Sequence, residues 1–344
     1  MSENNQIPKL LKGNRVIIVV VICLALTFFL FWNESCKSPI SFSAIHWSGS
    51  SILFLLLALL MMAFRDLAYM SRIRLLTNRM LSWRQSFNVI MIWEFASALS
   101  PGVVGGSAVA MFILRGEKIP LGKATALVIV TAIMDNLFYI VAIPVLFLFI
   151  SVSQLFPEDL KWIEQGGLTL FWIGYGIVLA ITGLLFLSVF YYPKALTSLI
   201  RLIFTLPFLK KRKEKGEKIN GDIYLASEEL KTHNFLFWLR IFGITVWSWT
   251  SRYLVINFML MAFISAGLGD HLLILGRQLV MWLVMLVTPT PGGSGMAEYL
   301  FEHFLSDFIA NGTLALSLAF LWRMISYYPY LIIGSVVYPR WIRR

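Results

Sequence analysis

Eight long apolar runs limit what this chain can fold into. They cover residues 16–32, 49–64, 87–114, 121–150, 168–190, 236–264, 272–310 and 314–337. A helix needs about 20 apolar residues to cross the hydrocarbon of a bilayer. Inside lipid every backbone N–H and C=O has to be satisfied within the protein, and runs of this length satisfy them as α-helices. Composition points the same way, with 58% hydrophobic and 14% charged residues against roughly 25% charged in soluble domains. The expected fold class is an all-α integral membrane protein. The net charge of +11 does not argue for nucleic acid. The basic residues lie between the apolar runs, and no basic unit large enough to fold stands apart from them.

Where those basic residues lie predicts the topology. Three precede the first run (Lys9, Lys12, Arg15), five fall in 65–86 (Arg65, Arg72, Arg74, Arg79, Arg84), three in 115–123 (Arg115, Lys118, Lys123), nine in 191–235 and three in 338–344. Stretches 33–48, 151–167 and 265–271 hold only Lys37 and Lys161. Cytoplasmic loops carry the Lys/Arg excess, so the first set is expected in the cytoplasm, and both termini with it. Run 87–114 then leaves from and returns to the cytoplasm, and run 272–310 leaves from and returns to the outside. Each is interrupted by a Pro/Gly cluster that a helix cannot cross, Pro101 to Gly106 in the first and Thr288 to Gly295 in the second. This predicts six full spans plus two re-entrant helical hairpins.

The pieces fall into two inverted-topology repeats. After a cytoplasmic N-terminal segment 1–15, the first repeat, 16–150, contains hairpin 87–114. The second, 168–337, contains hairpin 272–310 and the basic cytoplasmic loop 191–235, and 338–344 is a cytoplasmic tail. Each half reads span, span, hairpin, span, as transporters with inverted repeats do. Run 16–32 ends without a small-residue cleavage pattern and is read as a retained span. Cys23 and Cys36 sit at different depths, so no disulfide is expected. Residues 66–83 are basic and amphipathic, the pattern of a segment lying in the membrane plane.

Irregular backbone is tolerated at membrane depth only where it is buried in protein or lines a wet cavity, so the two breaks predict a cavity. A helix is expected to begin after each break, near Ser107 and near Met296, and helix N-termini offer free N–H groups and partial positive charge to an anion. Gly105, Gly106 and Ser107 at the first break and Gly292, Gly293, Ser294 and Gly295 at the second are the backbone candidates for holding a substrate. Ionisable side chains inside apolar runs are costly and face a cavity or one another. Arg252, Arg277 and Arg323 are the candidate substrate-binding cations; Glu94, Asp135 and Glu298 are candidate proton or cation sites, or structural partners of the arginines. Arg240, one turn inside its run, is expected to snorkel to the headgroups. All four arginines facing inward against three carboxylates would make the cavity positive. No phosphate-binding loop, nucleophile elbow or dinucleotide fingerprint is present, and Glu298, Glu302 and His303 lack the HExxH spacing, so no catalytic residue, metal or cofactor is read.

The segment Thr288-Pro289-Thr290-Pro291-Gly292-Gly293-Ser294-Gly295-Met296-Ala297-Glu298 resembles the signature of the bacterial flippase-like membrane domain family, the transmembrane part of lysylphosphatidylglycerol synthase/flippase. Pro101 to Ser107, with Arg115 beyond, resembles that family's other glycine-rich segment, and the resemblance covers residues 15–340. It implies two inverted repeats with re-entrant helices and movement of a lipid headgroup between leaflets. The relatives' soluble aminoacyl-transferring domain has no counterpart before Arg344, so synthase activity is not expected. The expected protein is a flippase for a phospholipid or related lipid-phosphate headgroup in the bacterial cytoplasmic (inner) membrane. Its partners are membrane lipids, anionic or aminoacylated phospholipid, with a second copy of the chain left open. The alternatives are an ion-coupled transporter of a small anionic solute and a membrane-embedded lipid-modifying enzyme.

Overall fold

The computed structural model describes residues 47–100, 102–157, 161–192, 213–264, 267–285, 293, 295–309 and 312–343. The N-terminal segment, the expected span 16–32 with Cys23 and Cys36, and Gly292 and Ser294 lie outside the described residues. Every regular element among the described residues is helical. In chain order they are α1 (Gly49–Leu76), α2 (Trp83–Leu99), α3 (Gly102–Gly116), α4 (Leu121–Phe147), α5 (Lys161–Phe186), α6 (Lys213–Lys231), α7 (Phe235–Met261), α8 (Leu268–Met285), α9 (Met296–Phe304), α10 (Gly312–Ser326) and α11 (Tyr328–Ile342). Among the described residues four stretches are long and apolar enough to cross a bilayer: Gly49–Leu76, Leu121–Phe147, Phe171–Tyr191 and Leu314–Ile342. Helix α7 matches them in length, but its polar side chains turn into the protein, where Thr245 and Ser248 are fully buried.

Local chemistry sets the helix ends. Ser82 and Gln85 exchange side-chain-to-backbone hydrogen bonds of 3.2 and 2.9 Å across the start of α2, a capping box. Asn234 Oδ1 accepts from the Phe237 N–H at 2.9 Å to start α7. After α1 and α3 the chain turns through left-handed residues, Asn78 (φ 51°), Arg79 (φ 59°) and Lys118 (φ 67°). These return N–H groups to the last carbonyls, Arg79 to Leu-flanking Arg74 at 2.7 Å and Ile119 to Leu114 at 3.1 Å.

Three expectations about element boundaries are corrected. The stretch 65–86 is not a loop from Arg65 onward, and 66–83 does not lie apart as an in-plane segment. Helix α1 continues for 28 residues to Leu76, about 42 Å. Hydropathy falls at Arg65 because the face turned inward becomes charged, while Leu67 stays exposed on the other face. The basic loop 191–235 contains helix α6, whose Ile223, Ala226 and Leu230 are buried. The last run is two helices. Tyr327 leaves the helical conformation (φ −127°, ψ −55°), and Pro329 stands in the first turn of α11, where its missing N–H is tolerated. Helix α11 then runs through Ile342, so most of the expected tail 338–344 is helical.

The hydrogen bonds between elements sort the connections onto two ends of the molecule. At one end Gln85 donates to Glu117 (2.8 Å), Trp341 Nε1 donates to the same carboxylate (2.7 Å), and Lys123 and Asn78 both donate to Glu229 (2.7 Å each). At the other, Ser51 Oγ donates to the Ala262 carbonyl (2.6 Å), and Arg277 donates to the carbonyls of Phe304 (2.9 Å) and Gln154 (3.2 Å). The start of α2 therefore meets the finish of α3, and α8 meets the finish of α9. Both interrupted runs fold back on themselves, as helices 83–99 with 102–116 and 268–285 with 296–304.

Helices α1 and α7 pack antiparallel along their lengths. Ser51 reaches Ala262 at one end, and Arg72 donates to Thr245 Oγ1 at 3.1 Å toward the other. Small residues allow the closest approaches, as in other membrane helix packings. A Cβ on Gly106 would lie 1.9 Å from Ser97 Oγ, and one on Gly334 would lie 2.3 Å from the Phe95 Cβ. One apolar core joins α1 to α4 with α11, and a second joins α4 with α7 to α10. Outward faces stay apolar: Leu53, Leu56 and Leu60 of α1 and Ile173, Ile177 and Leu184 of α5 are exposed, as suits contact with lipid.

Candidate functional site

A cavity of about 340 Å³ lies between the two cores, at the small end of pockets that hold small molecules. Helix α1 contributes Arg65, Tyr69 and Arg72, α2 contributes Glu94, α4 Asp135, α7 Trp249 and Arg252, and the α10–α11 junction Arg323, Tyr327 and Tyr330. Four arginines thus face one space inside apolar helices. A buried charge persists only with partners, and their partners define the site.

Arg65, only 1% exposed, donates to Glu94 at 2.7 Å, to Asp66 at 3.0 Å and to the Tyr330 hydroxyl at 2.7 Å. Tyr330 in turn donates to Asp66 at 2.8 Å. Arg72 holds Asp135 through both carboxylate oxygens, at 2.6 and 3.2 Å, the two-pronged geometry that makes guanidinium–carboxylate bonds strong. The Trp249 indole N–H donates to Asp135 as well, at 2.9 Å. The Tyr69 ring lies between the two guanidinium groups, 4.6 Å from Arg65 and 4.8 Å from Arg72, within cation–π reach of both. Arg323 pairs with Glu298 at 3.0 Å and sits 3.9 Å from the Tyr327 ring centre. Arg252 lies 5.6 Å from the Trp249 ring and has no carboxylate within ion-pair reach among the described residues.

The cavity is thus not simply positive. Among the described residues Arg65 has two carboxylates, Arg72 and Arg323 have one each, and Arg252 has none. Charge balances overall but is polarised, negative at the α1–α2 side and positive at α7.

Both interruptions are tied to the last helix pair beside the cavity. The Tyr327 hydroxyl donates to the Ala98 carbonyl at 3.0 Å, next to the first break, and Glu298, just past the second, reaches Arg323. Toward the end that bears Ser151 and Gly267 the cavity is floored by aromatic rings. Tyr139 stacks on Trp282 at 3.5 Å between centroids and shares a 2.6 Å hydrogen bond with Tyr253. Apolar residues of the second core fill the space beyond.

Arg252, Arg323, Ser107, Gly293, Glu94 and Asp135 line the cavity, and Glu298 adjoins it through Arg323. Arg277 does not line it: burial has drawn its guanidinium to Gln154, Phe304 and Asp307, where it ties α8 to the end of α9. Helix α3 starts at Gly102, not near Ser107, so Gly105 and Gly106 fall inside its first turns. Gly106 there serves the contact with Ser97, with its Cα against that side chain. Helix α9 starts at Met296 as expected, after Gly293 (φ 69°) and Gly295 (φ 84°). The Gly295 N–H donates to Glu298 at 2.8 Å, so the protein's own carboxylate occupies part of that N-terminus. Arg65, Asp66, Tyr69 and Arg72 were not expected in the site. Their spacing of i, i+4 and i+7 for the two arginines and the tyrosine, one face of a helix, is the signal that could have found them.

The cavity draws on residues from 65 to 330, and the family model for the lysylphosphatidylglycerol synthase TM region matches residues 16–334. This chain belongs to that family. A UPF0104 membrane protein from Archaeoglobus fulgidus is 25% identical over 331 residues, covering 92% of this chain and 94% of that protein. No solved structure matches the chain. The match to the lysylphosphatidylglycerol synthase TM region runs through both interrupted segments and every cavity residue named above.

Proposed function

We propose that this membrane protein carries a phospholipid or related lipid-phosphate headgroup between the leaflets of the cytoplasmic membrane. The observation that supports this most directly is Arg252, a cavity cation inside apolar helices with no carboxylate of its own among the described residues. An anionic phosphate is the group it lacks, and the apolar outer faces of the helices would keep the acyl chains in lipid while the headgroup passes. The Lys/Arg excess at one end supports a cytoplasmic side for that end and for both termini, in a topology of six full spans and two re-entrant hairpins. The antiparallel α1–α7 pair supports an inverted repeat, in which rocking of one half against the other alternates access. The stacked Tyr139–Trp282 floor would be the outer barrier that has to open. The protein acts as a carrier, without chemistry on the lipid.

Leaflet exchange in proteoliposomes tests this reading. Labelled phosphatidylglycerol, phosphatidylethanolamine and a polyprenyl phosphate are each reconstituted with and without protein, and access from outside is measured with a membrane-impermeant quencher. The protein should speed exchange of at least one anionic headgroup. Equal rates with and without protein for all three would overturn the proposal, and uptake of a water-soluble anion in their place would favour a solute carrier.

A further inference from the structure

We infer that entry of an anionic headgroup into the cavity is coupled to uptake of one proton at the Arg65–Asp66–Glu94 site. The inference rests on the transport reading above and adds its energy source. The charged and titratable groups around this space are Arg65, Asp66, Tyr69 and Arg72 on α1 and Glu94 on α2, with Tyr330 on α11. Opposite them stand Asp135 on α4, Arg252 on α7, Glu298 on α9, Arg323 on α10 and Tyr327 at the junction after it. Four guanidinium groups face four carboxylates, so the cavity without a headgroup is balanced. A phosphate that settles against Arg252 leaves one negative charge in excess. Such a charge is costly in a space walled by two apolar cores.

One place takes up that excess without leaving an arginine bare of counter-charge. Among the described residues Arg72 and Arg323 each hold a single carboxylate, and a proton on either would strip an arginine of that counter-charge. Arg65 holds two, Glu94 at 2.7 Å and Asp66 at 3.0 Å. A proton on one of them leaves Arg65 matched one to one. Tyr330, which accepts from Arg65 and donates to Asp66, keeps the cluster connected in both states. Glu94 lines the cavity, so the proton can come from water admitted with the headgroup and leave when the headgroup leaves. Headgroup and proton then cross as a neutral pair, no charge is moved, and the pH gradient drives the cargo. A zwitterionic headgroup brings no net charge and takes up no proton.

Purified full-length protein in phosphatidylcholine vesicles, with labelled phosphatidylglycerol and a pH gradient of one unit, tests the coupling. The steady-state leaflet ratio of the label should shift by up to about tenfold, the ratio that one proton per lipid sustains across one pH unit. It should return to its starting value when an ionophore dissipates the gradient, and labelled phosphatidylethanolamine should not respond. In Asp66→Asn and in Glu94→Gln, exchange at any rate should no longer follow the gradient. As a second measurement, wild-type protein in weakly buffered detergent should take up about one proton per short-chain phosphatidylglycerol bound. Phosphatidylglycerol exchange that ignores the gradient, or binding without proton uptake, overturns the coupling and leaves the transport reading standing. A gradient response that persists in both variants overturns the site. Absence of protein-dependent exchange for every headgroup overturns the transport reading, and the coupling with it.

Discussion

Arg72 and Asp135 show what a buried ion pair costs to break. Their two hydrogen bonds of 2.6 and 3.2 Å join α1 to α4, and Arg72 is 4% exposed. Removing one partner strands the other charge, a loss of about 3–5 kcal/mol, whereas replacing both with apolar groups of similar volume is often close to neutral. Asp135→Ala should therefore unfold at clearly lower temperature in detergent, and Arg72→Met combined with Asp135→Leu should recover most of the loss. Arg252 should behave in the opposite way. Arg252→Ala breaks no ion pair among the described residues, and a proton at Asp66 or Glu94 can meet the negative charge it leaves in excess, so it should lose clearly less stability than Asp135→Ala. If it holds the phosphate through charge-assisted hydrogen bonds worth about 1.5–3 kcal/mol, headgroup exchange should slow roughly ten- to hundredfold. An equal loss of stability and exchange would assign Arg252 a structural role. At this scale Glu94, Asp135, Arg252 and Arg323 were legible because a charge inside an apolar run has few places to go. Arg65 and Arg72 were not, because charges at the end of an apolar run read equally well as headgroup contacts. Only the continuation of α1 to Leu76 separates the two cases.

Elements in this protein meet where a side chain is missing. Helix α11 crosses α2 with Gly334 against Phe95, and α3 crosses α2 with Gly106 against Ser97. The atom that a new Cβ at Gly334 would meet first is the Phe95 Cβ, close to the backbone, so rotation of the ring cannot relieve the clash. Gly334→Val should push the two helices apart at a cost of about 1–3 kcal/mol or more, read as a lower unfolding temperature. By contrast Gly174, Gly176 and Gly183 on α5 have nothing within 4 Å of an added Cβ, and substitution by Ala there should be neutral or slightly stabilising, since Gly lowers helix propensity. A destabilised Gly176→Ala would place an unseen neighbour against that face. Both hairpins were legible from their Pro/Gly clusters. The break at Tyr327 was not, because a single Pro329 within an apolar run reads as a kink. What accompanies the break lies elsewhere in the chain, where the Tyr327 hydroxyl donates to the Ala98 carbonyl.

At the scale of the whole molecule, the two ends defined by hydrogen bonding make the topology testable residue by residue. Asn78, Lys118, Lys231 and Arg343 are exposed near one end, and Ser151 and Gly267 are exposed near the other. The two-sided arrangement was legible because Lys and Arg concentrate in the connections of one end, and the geometry joins those same connections through Glu117 and Glu229. With Cys23 and Cys36 replaced by Ser, single cysteines at these six positions can be labelled with a membrane-impermeant maleimide in right-side-out and inverted vesicles. Positions 78, 118, 231 and 343 should label from inverted vesicles alone, and 151 and 267 from right-side-out vesicles alone. The comparison of 78 with 118 is the decisive one, because α2 and α3 lie between them. At 17 and 15 residues each is about 22–26 Å long, shorter than the roughly 30 Å of hydrocarbon. A pair of helices this short, with Gln85 bonded to Glu117 at the open end, should return to the side it left. Labelling of 78 and 118 from opposite sides would mean that this pair crosses the membrane, which would break the inverted repeat and remove the re-entrant wall from the cavity.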